Sequence, residues 1–135
     1  HAGYELKEQL KQAFAEVDWL DLGAHSLDSV DYPDFGFAMG EAITAGQAAQ
    51  GVVICGSGIG ISIAANRYPA VRAALCANAT MARLSRQHND ANVLALGSRI
   101  VGFEVARDCV NAFIATPFEG GRHQRRIDKL GRPVA

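Results

Sequence analysis

The stretch that decides the fold runs from Gly51 to Gly60 and reads Gly-Val-Val-Ile-Cys-Gly-Ser-Gly-Ile-Gly. Its first half, Gly51–Cys55, is a continuous apolar run. Such short, unbroken runs are typical of strands that are buried on both faces of a parallel sheet. A glycine-rich turn follows, and Ile59–Asn66 then has the composition of a short helix. The order of strand, glycine turn and helix predicts an α/β fold.

The same alternation extends outward from this stretch. Short apolar segments predict further strands at Val17–Leu22, Arg72–Cys76 and Asn92–Leu96. Apolar periodicity, Pro33 as a first-turn residue and Asn78 as a cap predict helices beginning near Glu5 and covering approximately 33–49, 78–88 and 102–116. The chain opens with a helix that no strand feeds, although the first strand of a doubly wound sheet is often central. We therefore expect a leading strand to be missing from this chain.

The composition of the chain limits the classes of protein to which it can belong. The 135 residues are about the size of one domain, so we assign residues 1–135 to a single domain. Charged residues make up 20% and the formal net charge is −1, which gives no indication of a nucleic-acid partner or an anionic membrane. The three cysteines form no CxxC pair, and their odd number does not indicate a disulfide framework. A cytoplasmic location is the simplest interpretation.

The glycine turn after Cys55 is suited to binding an anion or a developing oxyanion, because glycines let backbone N–H groups approach a ligand closely. A dinucleotide site would need the spacing G-x-G-x-x-G and an acid at the end of the next strand, whereas the chain has G-x-G-x-G and ends that strand with Leu75-Cys76-Ala77-Asn78. No Gly-Lys-Ser/Thr follows, so a P-loop is excluded. A purely structural turn remains open.

Cys55 is a candidate base or nucleophile, because a thiol at a strand end near a helix N-terminus can be activated. The alternative is a buried structural cysteine, and that is our prediction for Cys76 and Cys109. His88, in the densely polar connection Ser85–Asn92, is a candidate acid–base residue or an ordinary surface histidine.

The polar residues of the chain bear on three further kinds of site: a hydrolase triad, a metal site and a phosphate site. Cys55, His88 and Asp90 could form the triad of a cysteine hydrolase. The four histidines show no short ligand spacing, which argues against a metal site. In the basic tail, Arg122 and Arg126 would share one face of a helix and suit a phosphate, unless the tail is simply a solvated basic end.

Six segments together resemble the ribose-5-phosphate isomerase B family, which includes galactose-6-phosphate isomerase subunits. They follow the order of that family and span nearly the whole chain: His-Ala-Gly-Tyr-Glu-Leu-Lys at 1–7, Asp-Tyr-Pro-Asp-Phe at 31–35, Cys-Gly-Ser-Gly-Ile-Gly-Ile-Ser-Ile-Ala-Ala-Asn at 55–66, Leu-Ser-Arg-Gln-His-Asn-Asp-Ala-Asn-Val-Leu at 84–94, Gly-Ser-Arg at 97–99 and Phe-Glu-Gly-Gly-Arg-His at 118–123.

The resemblance implies a Rossmann-like three-layer α/β/α sandwich with a parallel sheet. It also implies a homodimer or a dimer of dimers with active sites at the subunit interface, and no cofactor or metal. Cys55 would be the base that moves a proton between C1 and C2 through a cis-enediolate, assisted by Ser57. His88 would help to open the sugar ring. The substrate-binding positions would be His1, Tyr32, Gly56, Gly58, Gly60, Asn89, Arg99, Arg122, His123 and Arg126.

The chain departs from the family pattern at His1, which a strand ending in Asp normally precedes. The predicted function is nevertheless the interconversion of ribose 5-phosphate and ribulose 5-phosphate. Galactose 6-phosphate, allose 6-phosphate or another aldose phosphate is the alternative substrate. A non-catalytic sugar-phosphate binding protein is the alternative of another class, although pure binding would not need a base.

Overall fold

A three-stranded parallel sheet forms the centre of the protein in the computed structural model, which describes residues 2–26, 28 and 30–134. The strands are β1 (Gly51–Cys55), β2 (Ala73–Leu75) and β3 (Val93–Gly97). Their spatial order is β1-β3-β2, and Cys55 at the end of β1 lies opposite Gly97 at the end of β3. The order places the glycine turn after β1 beside the end of the central strand.

Within the described residues, six helices surround this sheet: α1 (Ala2–Ala13), α2 (Tyr32–Thr44), α3 (Ile59–Ala65), α4 (Ala79–Asn89), α5 (Phe103–Ala115) and α6 (Arg122–Leu130). The structure confirms the predicted strand at 51–55 and the short helix after it. It also confirms the predicted cap on α4, because the Asn78 side chain accepts from the Met81 amide at 2.9 Å. Helix α2 ends earlier than predicted, and Gly46 just beyond it has a φ of +74°, which helical residues do not adopt.

The core has two parts because alternate residues of β3 face opposite sides of the sheet. Leu94 and Leu96 join the cluster formed with α1, α4 and α5, whereas Val93 and Ala95 join the cluster formed with α2 and α3. All four of these side chains are fully buried. The predicted α/β/α sandwich with a parallel sheet is therefore confirmed.

The strand predicted at Val17–Leu22 is wrong. Among the described residues this segment has no ladder partner, and it is held by side chains instead. The Trp19 indole donates to the Phe14 carbonyl at 3.0 Å, and Asp21 accepts from Lys7 at 2.9 Å and from Lys11 at 2.8 Å. A strand exists only where another strand supplies its hydrogen bonds, so the apolar pattern alone was not sufficient.

A cavity of about 540 Å³ separates this segment from the outer edge of β1 and is lined by residues of both. In the part of the chain that the structure describes, β1 pairs only with β3. The predicted leading strand would precede His1 and lies outside the described residues. None of the described helices is long and apolar enough to span a membrane.

Candidate active site

The turn after β1 holds Cys55 in a fixed relation to the backbone. Gly58 has a φ of +79°, and its N–H donates to Sγ of Cys55 at 3.2 Å. The hydroxyl of Ser57 accepts from the Ile59 amide at 3.1 Å, which fixes the next step of the turn. A donor directed at sulfur stabilises the negative charge that Sγ carries as a thiolate.

The end of β3 clamps this turn from the other side. The Ser98 amide donates to the Cys55 carbonyl and the Arg99 amide donates to the Gly56 carbonyl, each at 2.9 Å. A Cβ on Gly58 would lie 2.8 Å from the carbonyl carbon of Leu96, which shows how closely the two segments approach. The turn therefore requires glycine at 58 for both its φ and its packing.

A cavity of about 410 Å³ opens beside Cys55. Of the predicted site residues, Tyr32, Cys55, Gly56 and Arg99 line it. The Arg99 side chain lies over Gly56, with Nε 3.5 Å from the place a Cβ would take, and the Tyr32 ring fills the space beside Gly60. The 540 Å³ cavity is larger but contains none of the predicted site residues, so we place the site at Cys55.

The three thiols differ in exposure as predicted. Cys76 and Cys109 are buried, and burial raises the pKa of Cys76 to about 11 and also raises the pKa of Cys109. Cys55 is only partly buried and faces the cavity. Cys55 is therefore the thiol that a ligand in this cavity can reach.

A second group of predicted residues assembles where α4 ends and α6 begins. The rings of His88 and His123 stack with their centroids 4.6 Å apart and their planes at 14°. Burial, followed by the charge of Arg122, lowers the pKa of His123, whose Nε2 is buried and finds no hydrogen-bond partner among the residues that the structure describes. The neighbouring Asn89, Arg122 and Arg126 are exposed, and the two arginines lie one turn apart on α6.

Glu119 joins these two histidines; it lies in the segment 118–123, but no role was predicted for it. Its Oε1 lies 3.5 Å from Nε2 of His123 and 4.0 Å from Nε2 of His88. Two imidazoles and a carboxylate are potential metal ligands. An imidazole lone pair lies in the plane of its ring, however, so two stacked, nearly parallel rings cannot both direct Nε2 at one ion. The arrangement does not fit a metal without reorientation of a ring.

The hydrolase triad with Asp90 is not formed. The Asp90 carboxylate is engaged by Arg86 at 2.8 Å and by Arg72 at 3.4 Å. Asp90 also ends α4 with a φ of +45°, so it acts as a structural residue of the connection to β3. The carboxylate next to His88 is that of Glu119.

The predicted site residues thus form two groups within one chain. The cavity beside Cys55 is not lined by the second group, which comprises His88, Asn89, Arg122, His123 and Arg126. Ser57 and Gly58 belong to the turn after β1, and Gly60 is the second residue of α3. His1 lies outside the described residues.

Known proteins are similar to this chain in sequence and fold over nearly its whole length. The family model of ribose/galactose isomerases matches residues 1–130. The ribose-5-phosphate isomerase B of Escherichia coli (strain K12) is 43% identical over 132 residues, which cover 96% of this chain and 89% of that protein.

Solved structures agree with this match. A ribose 5-phosphate isomerase from Thermotoga maritima has a TM-score of 0.93 and 47% identity, covering 97% of this chain and 92% of that one. The ribose-5-phosphate isomerase B of Mycoplasma genitalium, solved with bound ribulose-5-phosphate, has a TM-score of 0.91 and 40% identity, covering 96% of this chain and 88% of that one.

Proposed function

Since the chain belongs to the ribose/galactose isomerase family, we propose that it interconverts ribose 5-phosphate and ribulose 5-phosphate. The observation that carries this proposal is the placement of Cys55. Its sulfur lies beside a cavity of sugar-phosphate size and accepts a hydrogen bond from the turn that follows β1. Proton transfer next to a carbonyl needs such a base together with donors for the oxyanion.

Proton transfer takes place at this turn. Sγ of Cys55 removes the proton from C2 of the open-chain aldose, and negative charge develops on O1. Backbone N–H groups of the Gly56–Gly60 turn stabilise the resulting cis-enediolate, and Ser57 assists the exchange of protons between O2 and O1. Sγ then returns its proton to C1, which yields the ketose without any external oxidant or reductant.

Ring opening and phosphate binding belong to the second group. His88 exchanges a proton with the ring, with Asn89 nearby, because an imidazole can donate and accept protons near neutral pH. Arg122 and Arg126 bind the phosphate, since guanidinium groups match its geometry. Arg99 and Tyr32 approach the sugar phosphate from the Cys55 side.

A second copy of the chain brings the two groups together in our proposal. Three large apolar side chains around the Cys55 turn are more than half exposed, at 53% for Ile59, 60% for Ile63 and 65% for Ile100. Exposed apolar surface of this kind next to a site is typical of a subunit interface. The cavity of one protomer would then receive His88 and the arginines of its partner.

A coupled assay of ribulose 5-phosphate formation, run in EDTA, tests the proposed activity. We expect turnover that EDTA does not reduce, and no turnover by wild type would contradict the proposal. Galactose 6-phosphate is the second substrate to assay, because the matched family includes galactose isomerases. Binding of ribose 5-phosphate without any turnover would support the non-catalytic alternative.

Sedimentation velocity tests the dimer, with Ile63→Glu as the interface variant and Val134→Glu, at a side chain that is 98% exposed, as its control. We expect only Ile63→Glu to yield monomers and to lose turnover. A cytoplasmic location also belongs to the proposal, and it is supported by the free state of all three cysteines.

A further inference from the structure

Glu119 occupies a position that the catalytic proposal does not use. Its carboxylate lies 4.0 Å from Nε2 of His88 and 3.5 Å from Nε2 of His123. Its backbone N–H donates to the Gln87 carbonyl at 3.1 Å, which ties it to the last turn of α4, one residue before His88. The chain thus holds a carboxylate against one nitrogen of the histidine assigned to ring opening.

The stack restricts how His88 can respond to this carboxylate. Because the His123 ring lies against the face of His88, the His88 ring is limited in its rotation. His123 is itself buried, so it forms a fixed support. Because Nε2 is the His88 nitrogen that lies 4.0 Å from Glu119, Nδ1 is the nitrogen that remains for a substrate.

We propose that Glu119 is a positioning residue that fixes the tautomer of His88 and stabilises its protonated form while the sugar ring opens. A carboxylate that accepts from one imidazole nitrogen sets the protonation of the other. Contacts of this kind are often long in a ligand-free site and shorten when the substrate binds, so a separation of 4.0 Å is compatible with this role. This inference rests on the proposed function.

The protons of the ring-opening step move only between the substrate and His88. Nδ1 takes the proton from the O1 hydroxyl of the furanose, the bond between C1 and the ring oxygen O4 breaks, and C1 becomes a carbonyl. The protonated imidazole then gives its proton to O4. Glu119 stabilises the imidazolium between these two transfers and does not itself touch the sugar.

Assays that start from the aldose and from the ketose distinguish ring opening from proton abstraction. Ribose 5-phosphate is mostly a closed furanose and must be opened. Ribulose 5-phosphate is open, because the oxygen that would close a five-membered ring on C2 carries the phosphate. Exchange of its C1 proton with solvent therefore needs Cys55 but neither ring opening nor Glu119.

The test compares Glu119→Gln with Glu104→Gln, a control at an exposed glutamate of α5. For Glu119→Gln we expect kcat on ribose 5-phosphate to fall by about tenfold to a hundredfold, with KM changed less than about twofold. Exchange of the ribulose 5-phosphate C1 proton in D₂O, followed by NMR, should stay within about twofold of wild type. The control should match wild type in both assays.

A second variant shows whether Glu119 acts through His88. His88→Asn should likewise lower kcat on ribose 5-phosphate and leave C1 proton exchange of ribulose 5-phosphate nearly unchanged. The double variant of His88→Asn with Glu119→Gln should lose no more kcat than His88→Asn alone. Glu119→Asp keeps the charge but withdraws it by one methylene. Its kcat on ribose 5-phosphate should therefore lie between those of wild type and Glu119→Gln.

Three results would overturn the inference: wild-type turnover by Glu119→Gln, a parallel loss of C1 exchange, or additive losses in the double variant. Wild type that is inactive in both assays would instead refute the proposed function. The half-exposed Glu119 side chain tolerates an amide of the same shape, and the melting temperature of each variant verifies folding.

Discussion

Replacement of Gly58 by alanine tests how the turn after β1 is built. Gly58 has a φ of +79°, and a Cβ there would lie 2.8 Å from the Leu96 carbonyl carbon and 3.0 Å from the Gly97 amide nitrogen. Gly46 offers a matched control, because it has a φ of +74° and no atom lies within 4 Å of the place its Cβ would take. A comparison of Gly58→Ala with Gly46→Ala therefore separates the cost of backbone strain from the cost of steric overlap.

The magnitudes follow from these two environments. An alanine in the left-handed region costs about 1–2 kcal/mol, and this is the whole effect expected for Gly46→Ala. At Gly58 the Cβ also meets backbone atoms that cannot rotate away, which adds about 1–3 kcal/mol of overpacking. We therefore expect Gly58→Ala to lower the free energy of unfolding by about 2–5 kcal/mol.

Relief of the overlap would also move the Gly58 N–H away from Sγ of Cys55. A hydrogen bond to a charged group contributes about 1.5–3 kcal/mol, so kcat of Gly58→Ala should fall by about tenfold to a hundredfold. Urea unfolding and the coupled isomerase assay measure the two effects. Equal stability of the two variants, or wild-type kcat for Gly58→Ala, would refute this account of the turn.

Three further predictions address single residues. Cys55→Ala should abolish turnover while ligand binding survives, whereas Cys109→Ala should keep its activity; near-normal turnover by Cys55→Ala would exclude it as the base. Asp21→Asn should lower the free energy of unfolding by about 1 kcal/mol in urea titrations at pH 7. The Asp21 carboxyl is partly desolvated, which favours its neutral form, but hydrogen bonds from lysines outweigh this and hold its pKa below its usual range. The stability it contributes is therefore complete above about pH 4, the value for an unfolded chain, and is lost as the pH falls further; a difference between the variants that did not change from pH 7 to pH 2 would contradict this. Arg122→Ala should raise KM for ribose 5-phosphate and, by removing a neighbouring positive charge, raise the pKa of His123 in an NMR titration; unchanged values would remove Arg122 from the site.

Local signals made the centre of the fold predictable. The apolar run 51–55, the glycines after it and the cap at Asn78 each specify a conformation through neighbours in sequence, and the structure confirms all three. The segment 17–22 also has an apolar pattern, interrupted by Asp18 and Asp21, but a strand depends on a partner at a distance, and the described residues provide none. Periodicity contains no information about such a partner.

The same limit explains what the sequence missed at the site. Glu119 meets His88 only because its backbone amide docks on the end of α4, a contact between distant parts of the chain that no spacing rule encodes. Conversely, the sequence left open a triad in which Asp90 is the partner of His88, although the two are only two residues apart. Asp90 instead binds two arginines, one of which, Arg86, is itself mostly buried and needs a carboxylate.

The division of the site into two groups has a physical basis in the fold. The proposed base, Cys55, lies at a strand end, where the Ser98 and Arg99 amides donate to the Cys55 and Gly56 carbonyls and hold the turn in place. The residues proposed for ring opening and phosphate binding lie at helix ends, where Arg122 and Arg126 are exposed and can reach an anion. Proton transfer requires a fixed atom, whereas capture of an anion is favoured by long charged side chains that extend into solvent. Union of the two groups across an interface satisfies both demands, and it predicts that variants which separate the protomers lose turnover even though each protomer keeps its own Cys55 turn intact.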